Sequence, residues 1–258
     1  NFFLGTDFAA AYTPIKYAEI FAALRSTSNT NEAGRPALIQ TQGDFFIGAK
    51  GAAQVHSDIT VGGLLGARFL SGLGSAGIDL SSTSLDLRGL ASMDLRRTVD
   101  FPIKVHSNLG YYLENSEALL ESEQGEPSVV QEFGLQVARY DRVNIGFGAE
   151  FEVEPRLSPY VEYNIAVPIL VELARRGEGT GDYGVSSVPH ALTAGLRGFV
   201  TKNFPVDVAL RLGLSSTPYT GVPATPPWVF VFGVGYVLDP DPPVVERIVE
   251  VQPKEPPA

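Results

Sequence analysis

The chain has 258 residues, with 29 Asp and Glu against 19 Lys and Arg, a formal net charge of −10 and no cysteine. The acidic balance argues against a nucleic-acid partner, which needs a basic surface to displace counterions. Without cysteine there is neither a disulfide framework nor a thiolate metal site. Charged residues make up 19% of the chain, below the roughly 25% usual in soluble domains. Lysine, the common solvating cation, occurs five times against fourteen arginines, which points to a surface only partly in water. No run approaches the ~20 apolar residues of a membrane-spanning helix, while a membrane-spanning barrel stays open. No charged stretch leading into an apolar one stands at the start, as expected where a signal peptide has been removed or the start trimmed.

Taken in chain order, the segments alternate apolar and polar residues with the period of a strand. Leu4 to Tyr12 is the weakest, with Leu4, Phe8 and Tyr12 on one side and Gly5 and Asp7 on the other. Residues 17–26 alternate imperfectly; 44–55 and 59–70 alternate well. In Leu85–Arg96, Leu85, Leu87, Ala91, Met93 and Leu95 oppose Asp86, Arg88, Ser92, Asp94 and Arg96. Ile103–Glu114 sets Ile103, Val105, Leu109, Tyr111 and Leu113 against Lys104, His106, Asn108, Tyr112 and Glu114. Residues 129–139 read as a strand, and Val143–Val153 alternates without a slip, its apolar set opposing Asn144, Glu150 and Glu152. Strands follow at 159–169, 189–200, Val206–Leu214 and 228–238. This makes eleven strands, twelve with Leu4–Tyr12, or ten if one segment is a loop. Short connections at 56–58, 140–142 and 201–204 read as turns, and longer polar ones occupy about 27–43, 115–128, 171–188 and 215–227. Long and short connections in alternation are a mark of membrane barrels.

Alternation alone leaves the wet face undecided, because a half-exposed soluble sheet alternates too. Strand length favours the membrane: about eleven residues at ~3.4 Å each, tilted by ~40°, span roughly 28 Å, near the ~25 Å apolar band of outer-membrane barrels. The polar face mixes small residues with opposite charges that can neutralise one another in a confined lumen. Its expected charge network is Arg68, Asp86, Arg88, Asp94, Arg96, Glu132, Glu150, Glu152, Glu162, Arg197, Asp207 and Arg211, with Glu19, Arg25, Asp44, Lys50 and Lys104 on the same face. Glu150 and Glu152 are expected to find arginine partners from other strands. The greasy face carries almost no charge, Arg139 at a strand end being the main intrusion. Tyr17, Phe69, Tyr111, Phe133, Tyr163, Trp228 and Tyr236 fall towards segment ends, either as interfacial girdles or through plain β-propensity. The expected fold is all-β: a transmembrane antiparallel up-and-down barrel of about ten to twelve strands over residues 1–238.

The final strand, Phe232-Gly233-Val234-Gly235-Tyr236-Val237-Leu238, resembles the C-terminal signal of outer-membrane barrels, with Gly233 followed by Tyr236 and Leu238; Val231 stands where a polar residue belongs. Residues 239–258, DPDPPVVERIVEVQPKEPPA, hold six prolines and read as an extended linker. This segment resembles the periplasmic tether of OmpA-family proteins, in which a barrel precedes a peptidoglycan-binding domain. The runs from Gly43 to Gly51, Asn108-Leu109-Gly110-Tyr111, Pro159 to Asn164 and Val222 to Trp228 are similar to large OmpA-family barrels of myxobacterial, deltaproteobacterial type. The resemblance implies an envelope-anchoring protein in the outer membrane of a Gram-negative bacterium. Its implied partners are membrane lipid or lipopolysaccharide, other envelope proteins, and peptidoglycan through a domain that has no counterpart in these 258 residues.

Catalytic signals are weak. Gly72-Leu73-Gly74-Ser75-Ala76-Gly77 matches G-x-G-x-x-G, but a strand follows where a dinucleotide site needs a helix. His56, His106 and His190 lack metal-ligand spacing, and there is no G-x-S-x-G elbow. No enzyme, cofactor or metal site is expected. The functional alternatives to anchoring are a pore or transport channel built on the same barrel, and a soluble secreted β-sandwich binding module.

Overall fold

The computed structural model describes residues 2–30, 37–70, 82–96, 101–119, 129–154, 156–169, 185–215 and 221–238. Eleven strands form one sheet in sequence order: β1 (Phe2–Ile15), β2 (Ala18–Thr30), β3 (Leu38–His56), β4 (Ile59–Phe69), β5 (Ser84–Asp94), β6 (Ile103–Leu113), β7 (Arg142–Phe151), β8 (Leu157–Pro168), β9 (His190–Thr201), β10 (Phe204–Gly213) and β11 (Trp228–Val234). Every neighbouring pair is antiparallel. The sheet is the expected all-β, up-and-down meander. It curls: Arg25 on β2 lies within electrostatic reach of both Tyr112 on β6 and Arg211 on β10.

The strand count agrees with expectation, but its membership does not. The weak segment Leu4–Tyr12 is the core of β1, fourteen residues long. The expected strand at 129–139 is instead a helix, α1 (Val129–Leu135), followed by irregular chain. Its alternation misled because Phe133 and Val137 sit four apart, a spacing that serves one helix face as well as a strand. The helix ends in a Schellman arrangement: Val137 N–H donates to Glu132 O at 3.1 Å and Gln136 N–H to Phe133 O at 3.3 Å. Gln136 takes the left-handed position, φ 55°, and its own Nε2 donates to Phe133 O at 2.7 Å. With β1 included and α1 removed, the connections alternate regularly. Connections of two to eight residues join β1–β2, β3–β4, β5–β6, β7–β8 and β9–β10 at one end, the short-turn end; those at the opposite end have seven to 28 residues. The expected 27–43 loop is shorter than read, since β2 runs to Thr30 and β3 starts at Leu38. The linker 239–258, the glycine run at 72–77 and most of 115–128 and 171–188 lie outside the described residues.

Register divides the wall cleanly. Side chains of directly paired residues share a face, so Phe8–Leu24, Ile47–Ala67, Leu87–Tyr111, Ile145–Ile165, Leu196–Val208 and Val208–Phe232 mark the outer surface. Among described strand residues no Asp, Glu, Lys or Arg occupies an outer position. Large apolar side chains there stand open: Leu109 is 61% exposed, Phe8 72% and Phe232 64%. Aromatic pairs cluster at its margins, Phe45–Phe69 near the long-connection end and Phe101–Phe151 and Phe204–Tyr236 near the short-turn end. Phe133, read as an interfacial aromatic, sits on α1 and packs edge-on against Phe3 with centroids 5.9 Å apart.

Candidate functional site

The inner positions of the strands carry eight acidic side chains, Asp7, Glu19, Asp44, Asp86, Asp94, Glu150, Glu162 and Asp207. Eight basic ones share that face: Arg25, Lys50, Arg68, Arg88, Lys104, Arg142, Arg197 and Arg211. The charges therefore balance on a wall whose chain is strongly acidic overall. Arg25 grips Asp7 with Nε at 2.6 Å, Lys50 reaches Glu19 at 2.9 Å, Arg68 reaches Asp44 at 3.1 Å, and Arg88 clamps Asp86 at 2.6 Å. Arg197 reaches Asp207 at 3.1 Å, and Tyr160 Oη donates to the same carboxylate at 2.8 Å. At the short-turn rim Arg96 bridges Asp94 and Glu152, and Lys104 joins Glu152 from the neighbouring strand.

Of the expected network, Arg68, Asp86, Arg88, Asp94, Glu150, Glu162, Arg197, Asp207 and Arg211 occupy inner strand positions. Arg96 and Glu152 lie just beyond β5 and β7 and pair with each other. Glu152 thus meets an arginine as expected; Glu150 instead lies across from Lys104, with His106 Nε2 at 4.0 Å. Glu132 belongs to α1, not to the wall. Arg139, read as an intrusion on the outer face, is folded inside, 3.4 Å from Glu117 and 3.8 Å from Glu132. The helix and the chain that follows it carried both residues inward, and the outer face lost the main exception expected of it.

Room for the inner side chains comes from small residues on adjacent strands. A Cβ at Gly195 would fall 2.4 Å from the Tyr160 ring, and one at Gly110 would fall 2.6 Å from Arg88 Cγ. The ring and the guanidinium stem thus lie flat along the wall and leave space towards the axis. Two cavities follow this face. One, about 270 Å³, is lined chiefly by Arg88, His106, Asn108, Glu150, Tyr160, Glu162, Asn164 and Arg197. The other, about 250 Å³, lies towards the short turns beside Gln54, Thr60, Ser92, Asp94 and Lys104.

The long-connection end is closed differently. The β6–β7 connection leaves Leu113 through a 3-10 turn, Ser116–Leu119, and α1 packs on β2 and β3. Gly134 presses so closely on Ile39 that a Cβ would fall 2.9 Å from its Cδ1. Ile39 beneath it is buried, as are Leu135, Val137 and Ala138 of the connection itself. Ser116 Oγ, fully buried, donates to Ala138 O at 3.2 Å and accepts from Ala138 N–H at 3.0 Å. Arg139 N–H donates to Gly221 O at 2.8 Å, drawing the β10–β11 connection into the same plug. The strand alternation held no signal for this cap, because Val137 and Ala138 fell within 129–139, read as a strand of the wall.

No protein-family model and no curated protein matches the chain. Among solved structures, a NanC porin in a rhombohedral crystal form matches at 10% identity over 90% of this chain and 99% of that one, with a TM-score of 0.49. A chain from work on in-meso crystallization of membrane proteins matches at 13% identity over 92% of this chain and 78% of that one, TM-score 0.42.

Proposed function

We propose that the chain is an outer-membrane β-barrel whose lumen is a passage for small polar solutes, stopped at the long-connection end by the inward-folded β6–β7 connection. The observation that carries this is the division of the wall. The outer positions are free of charge and broadly apolar, whereas the inner positions hold eight acidic and eight basic groups beside two cavities. Burying charges without counter-charges in a lumen is costly, so a balanced, paired set suits a narrow aqueous path. Such a lumen selects weakly between small cations and anions. The short turns then face the periplasm and the long connections face outward, as in barrels of this kind.

The OmpA-type anchoring role is a second reading, supported by one placement. β11 ends at the short-turn end, so the described chain leaves the sheet on the side that would face the cell wall. The two roles are compatible. Planar-bilayer recordings separate them. The intact protein is expected to show small, intermittent currents, and replacement of residues 129–138 by a Gly/Ser linker should make them larger and steady. Silence from both proteins would overturn the passage and leave anchoring.

A further inference from the structure

We infer that the seam between β1 and β11 receives a twelfth strand, supplied by the same polypeptide on the N-terminal side of Asn1. The inference rests on the membrane reading above. Every neighbouring pair in the sheet is antiparallel, and the order runs from β1 to β11. Two odd-numbered strands therefore run the same way, from the long-connection end to the short-turn end. Direct closure of β1 on β11 would be a single parallel pair in an otherwise antiparallel wall. Contact between the edges of two copies fares no better. Copies inserted with one orientation across the membrane present every edge strand running in the same direction, so each such pair would also be parallel. One strand running the opposite way makes both of its contacts antiparallel and brings the count to the even number of single-chain bacterial barrels.

The edges themselves are built to be paired. In lipid a bare edge leaves backbone N–H and C=O groups without partners, which membrane proteins avoid. Soluble sheets blunt their edges with lysine, proline or bulges. β11, WVFVFGV, has no charged residue and no proline; β1 carries only Asp7, turned inward, and Pro14 near its turn. Residues 239–258 follow β11 but suit the place poorly. Six prolines interrupt them, and in the one proline-free run, 244–252, Arg247 falls in one alternate set and Glu246 and Glu250 in the other. An upstream strand fits by direction. β1 begins at the long-connection end, so a strand joined to Phe2 there arrives from the short-turn end, in the sense required. It should alternate, apolar towards lipid. An inward acceptor on it would add to Glu162 in offsetting Arg211 and Arg25, which lie within electrostatic reach of each other.

The natural full-length protein in its own membrane provides the test; residues 1–258 hold no cysteine, and any upstream cysteine is first replaced by serine. Ala10→Cys on β1 is combined in turn with Phe230→Cys, Phe232→Cys and Val234→Cys on β11. One intervening strand separates the two by ~9–10 Å, beyond the about 4.4–6.8 Å that a disulfide bridges. The expected result is no disulfide under oxidant and efficient cross-linking by a bis-maleimide of comparable span. A disulfide in any pair would mean direct closure and overturn the inference. The source is read by proteinase treatment of the membranes and mass analysis of the protected fragment. Its N-terminus is expected at least ~10 residues upstream of Asn1, about one strand; a fragment beginning at or after Asn1 would overturn that assignment. Recovery of the protein without detergent in the soluble fraction would strike the membrane reading itself, and the inference with it.

Discussion

At the long-connection end the inner faces of β2 and β3 are buried, with Ile39 1% and Asn29 2% exposed beneath α1. At the short-turn end the same two strands leave the Lys50 side chain 45% exposed beside Glu19. One continuous wall thus meets a packed plug at one end and open space at the other. Among the described residues the difference arises chiefly from the β6–β7 connection, whose helix packs on β2 and β3. Packing concentrates where Gly134 meets Ile39 and Phe133 meets Phe3, whereas the lower wall is held by its ladder and by ion pairs that remain partly hydrated.

Four substitutions grade that contrast. Ile39→Ala should have the largest effect, about 2–5 kcal/mol of stability from the lost side chain and the cavity it leaves. Urea unfolding in detergent reads it, and the bilayer currents should rise in parallel; unchanged stability would mean that the cap does not pack on β3. Leu109→Arg, in the middle of the outer face, should cost about 2–4 kcal/mol if that face meets the bilayer core. The assembled fraction is measured by heat-modifiable gel migration, and normal assembly would break the lipid-facing assignment. Arg68→Ala removes a guanidinium from Asp44, whose carboxylate is almost buried, and should cost about 1–3 kcal/mol. Lys50→Ala breaks the exposed pair with Glu19 and should cost less than ~1 kcal/mol. A larger loss for Lys50→Ala than for Arg68→Ala would reverse the picture of a tight end and an open one.

Much of the wall was legible because a strand sorts its side chains by parity, and parity is written in the residue order. The faces of Leu85–Asp94 and Val143–Phe151 follow from alternation alone, and so do the inward positions of Arg88, Glu150 and Arg197. Partners were less legible. Glu152 meets Arg96 across 56 residues of sequence, and only the register of β5, β6 and β7 brings them to one rim. Leu4–Tyr12 was faint because Ala9, Ala10 and Ala11 blur the contrast between its faces. Residues 129–139 went wrong for the opposite reason: their apolar spacing satisfies helix and strand alike, and contact with Phe3 and Ile39 favours the helix.

The residue order by itself determined a charge-free face, a balanced charged face and strands long enough to cross a bilayer, because each is a local property of alternating side chains. Tertiary structure alone decided that a connection becomes a plug, that Arg139 and Glu132 turn inward with it, and that the outermost strands run in the same direction. Those outcomes depend on which distant segments compete for the same space above the lumen, and no local pattern records that competition.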